Sequence, residues 1–487
     1  MLNILPLSKF YNIDSNLFDE EGILNPILNM DVPLFIDPLL LKFSSFNIFK
    51  NEAFNLYKAF FERLYTDILS LIGVKEEKIY IKAKNNLIQK LQFKEINGLC
   101  LGYAFKNNKG RGIGKKIAKQ ILDRAIELIE RGAKDSNIFN ILFLLEENIG
   151  ADFISDMTAN IIYEPLCKFT EDKSIRLNIP TKKFGNFNLP EHPLENGKPI
   201  LLLPLDILSE LPLEDDTKNV FNMFIQREGN FDIHKIAINQ DISDILSYCA
   251  EKKSGKKELK QNLGNYVYDN ISVVKEISDF INNYNISAYN FNNDPIGVNS
   301  IKNFLNFIEQ NPKIIPNYNT KKNEDILELI DDIINSFKNF IDNDNETKRN
   351  LLYNNKKPKN EKCWQSIFKV YVNKIIEKSD LDLTPEAWTG NGPVDFKISS
   401  GNNLRILIEM KLSPSPHYLT GLTKQLEIYK SSLKNIKKSY YMIINLEDDD
   451  KFVNKLKKLY NKKNELKLDT EIVSIDGKIY DSASNRR

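Results

Sequence analysis

The chain is poor in the residues that hold transition metals or cross-link a small secreted fold. Its 487 residues include three His, four Cys and two Trp. Cys100, Cys167, Cys249 and Cys363 are widely scattered, with no CxxC pair and no Cys/His cluster. That spacing suggests neither a zinc site nor a disulfide framework. No GxSxG elbow and no HExxH pattern occurs, so Ser nucleophiles and zincin chemistry are not indicated. No apolar run approaches the roughly 20 residues needed to span a bilayer. The N-terminal stretch MLNILPLSKFYNID lacks a basic segment followed by a long apolar one, so no signal peptide is read. A cytoplasmic protein with reduced thiols and no membrane association is the expectation.

An overall excess of charge is also missing, since 67 Lys and Arg meet 66 Asp and Glu, a net +1. The balance is not even along the chain. Lys356 to Arg487 carries 25 Lys and Arg against 17 Asp and Glu, a net +8, which leaves −7 for the first 355 residues. A basic C-terminal part suits a polyanionic partner.

At this length two or three domains are expected. Residues 1–341 read as a mainly α-helical region for recognition, regulation or oligomerisation, with a break between two subdomains near 210–260. Residues 342–360 are almost wholly polar and read as a linker, and 361–487 as a C-terminal α/β domain. In the first region, VPLFIDPLLL reads as a strand entering a turn at Asp37-Pro38. Asn51 to Ile72 reads as an amphipathic helix through Phe54, Tyr57, Phe61, Leu64, Ile68 and Leu71. Gly110, Gly112 and Gly114 precede Lys115, Lys116 and a helix. That turn either cradles phosphate or is a flexible basic turn; it lacks the Walker A spacing. Asp152 and Asp156 share a helix face, which serves a metal or an N-terminal first turn equally. KPILLLPLDIL, 198–208, reads as a buried strand. The lysines between Lys252 and Lys260 form a solvated face or a nucleic-acid contact, and Asn323 to Ile341 a well-marked helix.

The C-terminal domain carries the chemistry. Glu361 to Glu377 reads as a helix, Asp382–Trp388, Pro393–Ser399 and Leu404–Leu412 as strands, Tyr418–Leu433 as a helix, Tyr440–Leu446 as a strand. A basic helix at Phe452–Tyr460 and a last strand at Glu471–Ile475 follow. On one strand Glu409 and Lys411 face the same side and Met410 the other. Asp395 on the antiparallel neighbour approaches Glu409, and a hard divalent cation relieves the repulsion between the two carboxylates. Lys411 is placed to orient a water and to stabilise charge on phosphorus. Gln425 and Tyr429, at i,i+4, project from one helix face.

Gly392-Pro393-Val394-Asp395 followed by Glu409-Met410-Lys411 resembles the motif of the PD-(D/E)xK, or restriction-endonuclease-like, nuclease superfamily. One residue intervenes between Pro393 and Asp395, a variation on the literal motif. Gln425-x-x-x-Tyr429 is similar to the signature helix of the RecB-type exonuclease branch. The resemblance covers about residues 361–446. It implies a mixed sheet flanked by helices, a Mg²⁺- or Mn²⁺-dependent nuclease and a nucleic-acid partner, with DNA expected first. Asp395, Glu409 and the Met410 carbonyl become metal ligands, and Lys411 the catalytic lysine. Glu361 or Gln365 supplies a further residue from the preceding helix, Glu361 as a further metal ligand. Glu386 is another nearby acid, and His417 reads as part of a helix start. His192 and His234 have no partners in the sequence. By analogy the resemblance also implies an effector of prokaryotic restriction or anti-phage defence, acting as a homo-oligomer or with a partner protein. A nucleic-acid-binding sensor or scaffold with a silent nuclease fold is the alternative.

Overall fold

Apolar residues recur at helical spacing through the first half of the chain, and helices form where they recur. The computed structural model describes residues 5–96, 98–102, 113–134, 136, 138–139, 142, 151–210, 287–315, 326–376, 381–388, 393–400 and 404–480. They fall into two compact units, one from Leu7–Gly102 and Asn107–Tyr289, the other from Met1–Pro6, Tyr103–Lys106 and Asn290–Arg487.

In the first unit β1 (Leu34–Ile36) leads into a turn that starts at Pro38. Asp37 caps that turn, its Oδ1 accepting the Leu39 N–H at 3.0 Å. Helix α1 (Phe54–Ile72) buries Tyr57, Phe61, Leu64, Ile68 and Leu71, a single stripe at the spacing read from sequence. Helices α2 (Glu77–Lys90), α3 (Lys115–Glu130), α4 (Ala151–Ile161) and α5 (Tyr163–Arg176) follow. A small hairpin, β2 (Lys182–Phe184) and β3 (Phe187–Leu189), comes next, and β4 (Leu208–Glu210) pairs back antiparallel to β1. The stretch 198–208, expected to hold a buried strand, enters one only at its last residue, Leu208 of β4. Ile200 to Leu203 are buried, yet Pro199 and Pro204 remove two ladder donors. Their neighbours find separate partners: Leu201 N–H donates to the Gly98 carbonyl, and Leu202 N–H to Thr170 Oγ1. Gly110, Gly112, the 252–260 lysines, all of the expected 210–260 break after Glu210, Cys249 and His234 lie outside the described residues.

The second unit begins earlier than its charge pattern suggested. Helices α6 (Val298–Gln310) and α7 (Ile326–Asn343) belong to it. The expected linker 342–360 is folded, holding the end of α7, α8 (Asn345–Leu352) and a hairpin, β5 (Tyr353–Asn354) and β6 (Lys357–Pro358). Its polar residues make caps and ion pairs, while Leu351, Leu352 and Tyr353 are buried. Asp344 caps α8 by accepting the Thr347 N–H at 2.9 Å.

Next come α9 (Glu361–Ile376), β7 (Asp382–Trp388), β8 (Pro393–Ser400) and β9 (Leu404–Leu412). Helix α10 follows as Tyr418–Thr420, a wide turn Gly421–Gln425 and Leu426–Ser432. β10 (Ile436–Asn445), α11 (Asp449–Glu465) and β11 (Glu471–Asp476) complete the unit. The five long strands form one mixed sheet in the order β11-β10-β9-β8-β7. β7, β8 and β9 are antiparallel, and β10 and β11 join parallel through helical crossovers. The fold is therefore mixed α+β. An aromatic cluster of Phe337, Phe340, Phe368, Tyr371 and Phe396 packs α7 and α9 against the sheet.

The entry to α9 is braced. The largely covered Lys359 side chain donates to Asp294 Oδ2 at 2.9 Å and to Ser300 Oγ at 2.7 Å, and Trp364 Nε1 donates to the Lys359 carbonyl. Gly297, at φ +80, lets α6 begin against α9, where a Cβ would lie 2.5 Å from Cys363 Sγ. Lys359→Ala takes the ammonium from a buried carboxylate that keeps the Asn299 and Ser300 N–H groups, and is expected to cost about 3 kcal/mol of unfolding free energy. The joint replacement Lys359→Met/Asp294→Asn is expected to cost markedly less; urea denaturation of the full chain measures both.

Candidate active site

Strand alternation sends Glu409 and Lys411 to the same side of β9 and the Met410 side chain into the core, where it is fully buried. The β8–β9 ladder reaches Phe396 opposite Ile408 and ends there. One residue further, a side chain replaces the missing rung: the Met410 N–H donates to Asp395 Oδ2 at 2.7 Å. Asp395 is thereby fixed at the mouth of the β8–β9 pair. On its other edge β9 stays in register with β10, with Lys411 opposite Ile443, so the site lies where one strand is paired on one side only.

Four oxygens converge on the Lys411 ammonium. Glu361 Oε1 lies at 3.0 Å, Glu409 Oε1 at 3.1 Å, the Met410 carbonyl at 3.1 Å and Asp395 Oδ2 at 3.6 Å. Glu361 comes from the first residue of α9, and its other oxygen accepts the Leu412 N–H at 3.2 Å. The side chain of Glu409 is 2% exposed, against 16% for Asp395 and 21% for Glu361. The cluster is therefore sealed at Glu409 and open along the Asp395–Glu361 edge.

This packing sets the charges. Burial, with the nearby Asp395 carboxylate, pushes Glu409 up to about 8 against the opposing pull of Lys411. Burial pulls Lys411 down, but Asp395, Glu409 and Glu361 outweigh it and hold the ammonium well above its ordinary value.

The structure separates the two candidates on α9. Glu361 touches Lys411, whereas Gln365 reaches the cluster only through Glu361, its Nε2 3.5 Å from Glu361 Oε1. Gln425 and Tyr429 sit differently from the expected polar face. Tyr429 is buried in an apolar cluster with Val394, Leu407, Leu422, Leu426 and Tyr441. The Gln425 side-chain oxygen is buried with no hydrogen-bond partner among the described residues. The wide turn at Gly421–Gln425 brings that oxygen beside Gly421, where a Cβ would stand 3.4 Å from it and 3.1 Å from the Tyr441 hydroxyl.

Tyr441 was missed in sequence. Its register partner is Glu409 on β9, and its phenol donates to the Tyr418 carbonyl. Burial raises its pKa, and all four charged members of the cluster act on it. Only the two-residue period of β10, read against β9, carries a signal for that placement. His417 is exposed at the start of α10, its carbonyl accepting the Gly421 N–H at 2.8 Å. His192, in the first unit, is buried, with Nδ1 accepting the Leu194 N–H and burial lowering its pKa. Glu386 lies on β7 and Asp152 on α4, with side chains outside the described set.

Carboxylates and a backbone carbonyl are the donors a hard divalent cation takes, so the chemistry of Asp395, Glu409, Met410 and Glu361 fits Mg²⁺ or Mn²⁺. The arrangement itself is built around an ammonium. Among the described residues no group of three or more His, Cys, Asp or Glu is arranged to hold a metal ion. Asp395 and Glu361 are instead held by the N–H groups of Met410 and Leu412.

Two family models match the chain, both described as domains of unknown function: DUF8370 over residues 12–215 and DUF8371 over residues 326–448. The second match spans α7 through β10 and includes every residue of the Lys411 cluster. No curated protein and no solved structure matches. No helix among the described residues is long and apolar enough to cross a membrane.

The buried Glu409 makes stability depend on pH. Its folded carboxyl titrates at about 8 and its ordinary value is 4.5. Between those values the folded state binds more protons than the unfolded one, so stability falls as pH rises through the window. In EDTA, urea denaturation of wild type is expected to show that decline, and Glu409→Gln to flatten it. An equal decline in the variant counts against the assignment.

Proposed function

We propose that the C-terminal unit is a divalent-metal-dependent nuclease of the restriction-endonuclease-like kind, hydrolysing phosphodiester bonds in DNA. The observation that carries this reading is the convergence of Asp395, Glu409, Glu361 and the Met410 carbonyl on Lys411, at the unpaired edge of β9.

Asp395, Glu409 and the Met410 carbonyl would hold the ion, with Glu361 beside them. When bound, such an ion polarises the scissile phosphate and acidifies a water. The chain supplies the rest. Lys411 keeps its proton because three carboxylates surround it, so it offers a fixed positive charge to the oxygens on phosphorus. Glu361 and the Met410 carbonyl aim that ammonium. Because Glu409 is sealed, a phosphate reaches the cluster from the Asp395–Glu361 edge.

The +8 balance from Lys356 onward supports a polyanionic substrate. By fold-level analogy alone, we place this activity in restriction or anti-phage defence.

Duplex DNA is expected to be cut with Mg²⁺ or Mn²⁺ and spared in EDTA. Asp395→Ala and Lys411→Ala are each expected to lower the rate about a hundredfold or more. Equal cleavage by Asp395→Ala sinks the proposal. Binding without cleavage in any metal would leave a nucleic-acid-binding protein with a silent site.

The two α9 residues should also behave differently. Glu361→Ala is expected to lose most of the activity and Gln365→Ala to keep most of it. The reverse order in the same assay would reassign the helix residue.

A further inference from the structure

Helix α11 carries an unusual charge pattern. No acidic residue occurs between Lys451 and Asn464, while Lys451, Lys455, Lys457, Lys458, Lys462 and Lys463 do. Lys451, Lys455, Lys458 and Lys462 fall at spacings of four, three and four, one flank of a 3.6-residue helix. Phe452 and Leu459 occupy the adjacent face and are buried in the cluster with Leu422 and Leu426 of α10. At about 1.5 Å per residue the flank runs roughly 16 Å. Like charges at these spacings destabilise a helix, so the pattern works against the helix that bears it.

The flank is anchored next to the Lys411 cluster. Lys455 Nζ donates to the carbonyl of Ser413, two residues past Lys411, at 2.6 Å, and lies 4.9 Å from the centre of the Tyr418 ring. The acids near the flank sit at its two ends and at its anchor. Asp448 is 3.8 Å from Lys451, with both side chains mostly exposed. Glu447 holds Lys455 at 2.6 Å, and Glu465 holds Lys462 at 2.6 Å. The two pairs at the ends are exposed and therefore weak, while the Lys455–Glu447 pair at the anchor is largely buried. Lys458, in the middle, is exposed and makes no ion pair among the described residues.

We propose that this flank of α11 is the track along which the sugar–phosphate backbone of duplex DNA lies as it enters the Lys411 cluster. The inference rests on the nuclease reading for what happens at the end of the track. A duplex strand offers a phosphate about every 3.4 Å of axis, so the flank faces about five of them.

The test is fluorescence anisotropy of a labelled DNA duplex with the full chain in EDTA, over a series of salt concentrations. Lys458→Glu/Lys462→Glu is expected to weaken binding at least tenfold near 0.15 M salt. It should also flatten the slope of log K against log salt by about 1.8, roughly 0.9 per lost phosphate contact. Lys78→Glu/Lys82→Glu on α2 should leave both quantities unchanged. Lys458→Gln/Lys462→Gln adds no acid; it should reduce the slope alike and serves if the Glu variant melts early. Cleavage with Mg²⁺ is scored separately. If wild type binds but never cuts, the nuclease reading fails and the track is supported by a reduced slope. If wild type cuts and both variants bind with unchanged slope, the track is overturned and the nuclease stands. Absence of any DNA binding by wild type overturns both.

Discussion

The second unit depends on keeping three carboxylates together in a largely buried place. Left alone, Asp395, Glu409 and Glu361 would repel and draw in water, and the mouth of the β8–β9 pair would open. The Lys411 ammonium prevents this, and it is itself secured by its neighbour's carbonyl oxygen. Two backbone N–H groups, of Met410 and Leu412, finish the job by holding Asp395 and Glu361. Ends of α9, β8 and β9 are thus joined by one set of charges. Removing Lys411 leaves three acidic side chains without the cation they share, in a medium where uncompensated charge is costly.

Burial and charge pull in opposite directions at Glu409. Glu409 is buried for the sake of packing, and burial makes its negative form expensive. A cation that takes its oxygens lowers that expense and must expel a proton to do so. On the reading proposed above, ion binding and proton release would be coupled in this unit.

Much of the C-terminal unit was legible because its strands alternate cleanly. A period of two residues told Glu409 and Lys411 from Met410, and the antiparallel neighbour brought Asp395 near. What sequence could not give was long-range register. Tyr441 reaches the cluster only through parallel pairing of β9 with β10, which no local pattern encodes. Tyr429 repeats at helical spacing with Gln425, and that spacing alone does not tell a polar face from a buried one. The polar segment 342–360 misled for a related reason: its Asn, Asp and Lys residues make caps and turns around a few buried apolar side chains. Proline flanks likewise turned an apolar run at 200–204 into buried extended chain without a ladder.

The brace at Lys359 has a consequence for how this unit can vary. Only Asn360 separates the anchored lysine from Glu361, and α9 begins at Glu361 itself. Inserting a single residue there would turn the start of the helix by about 100° and swing the carboxylate away from Lys411. Asn360 gives no slack, because its own N–H donates to the Pro295 carbonyl and its Oδ1 accepts the Cys363 N–H. The stretch from Lys359 to Glu361 thus acts as a ruler. Its length, and not only its side chains, sets where the Glu361 carboxylate stands.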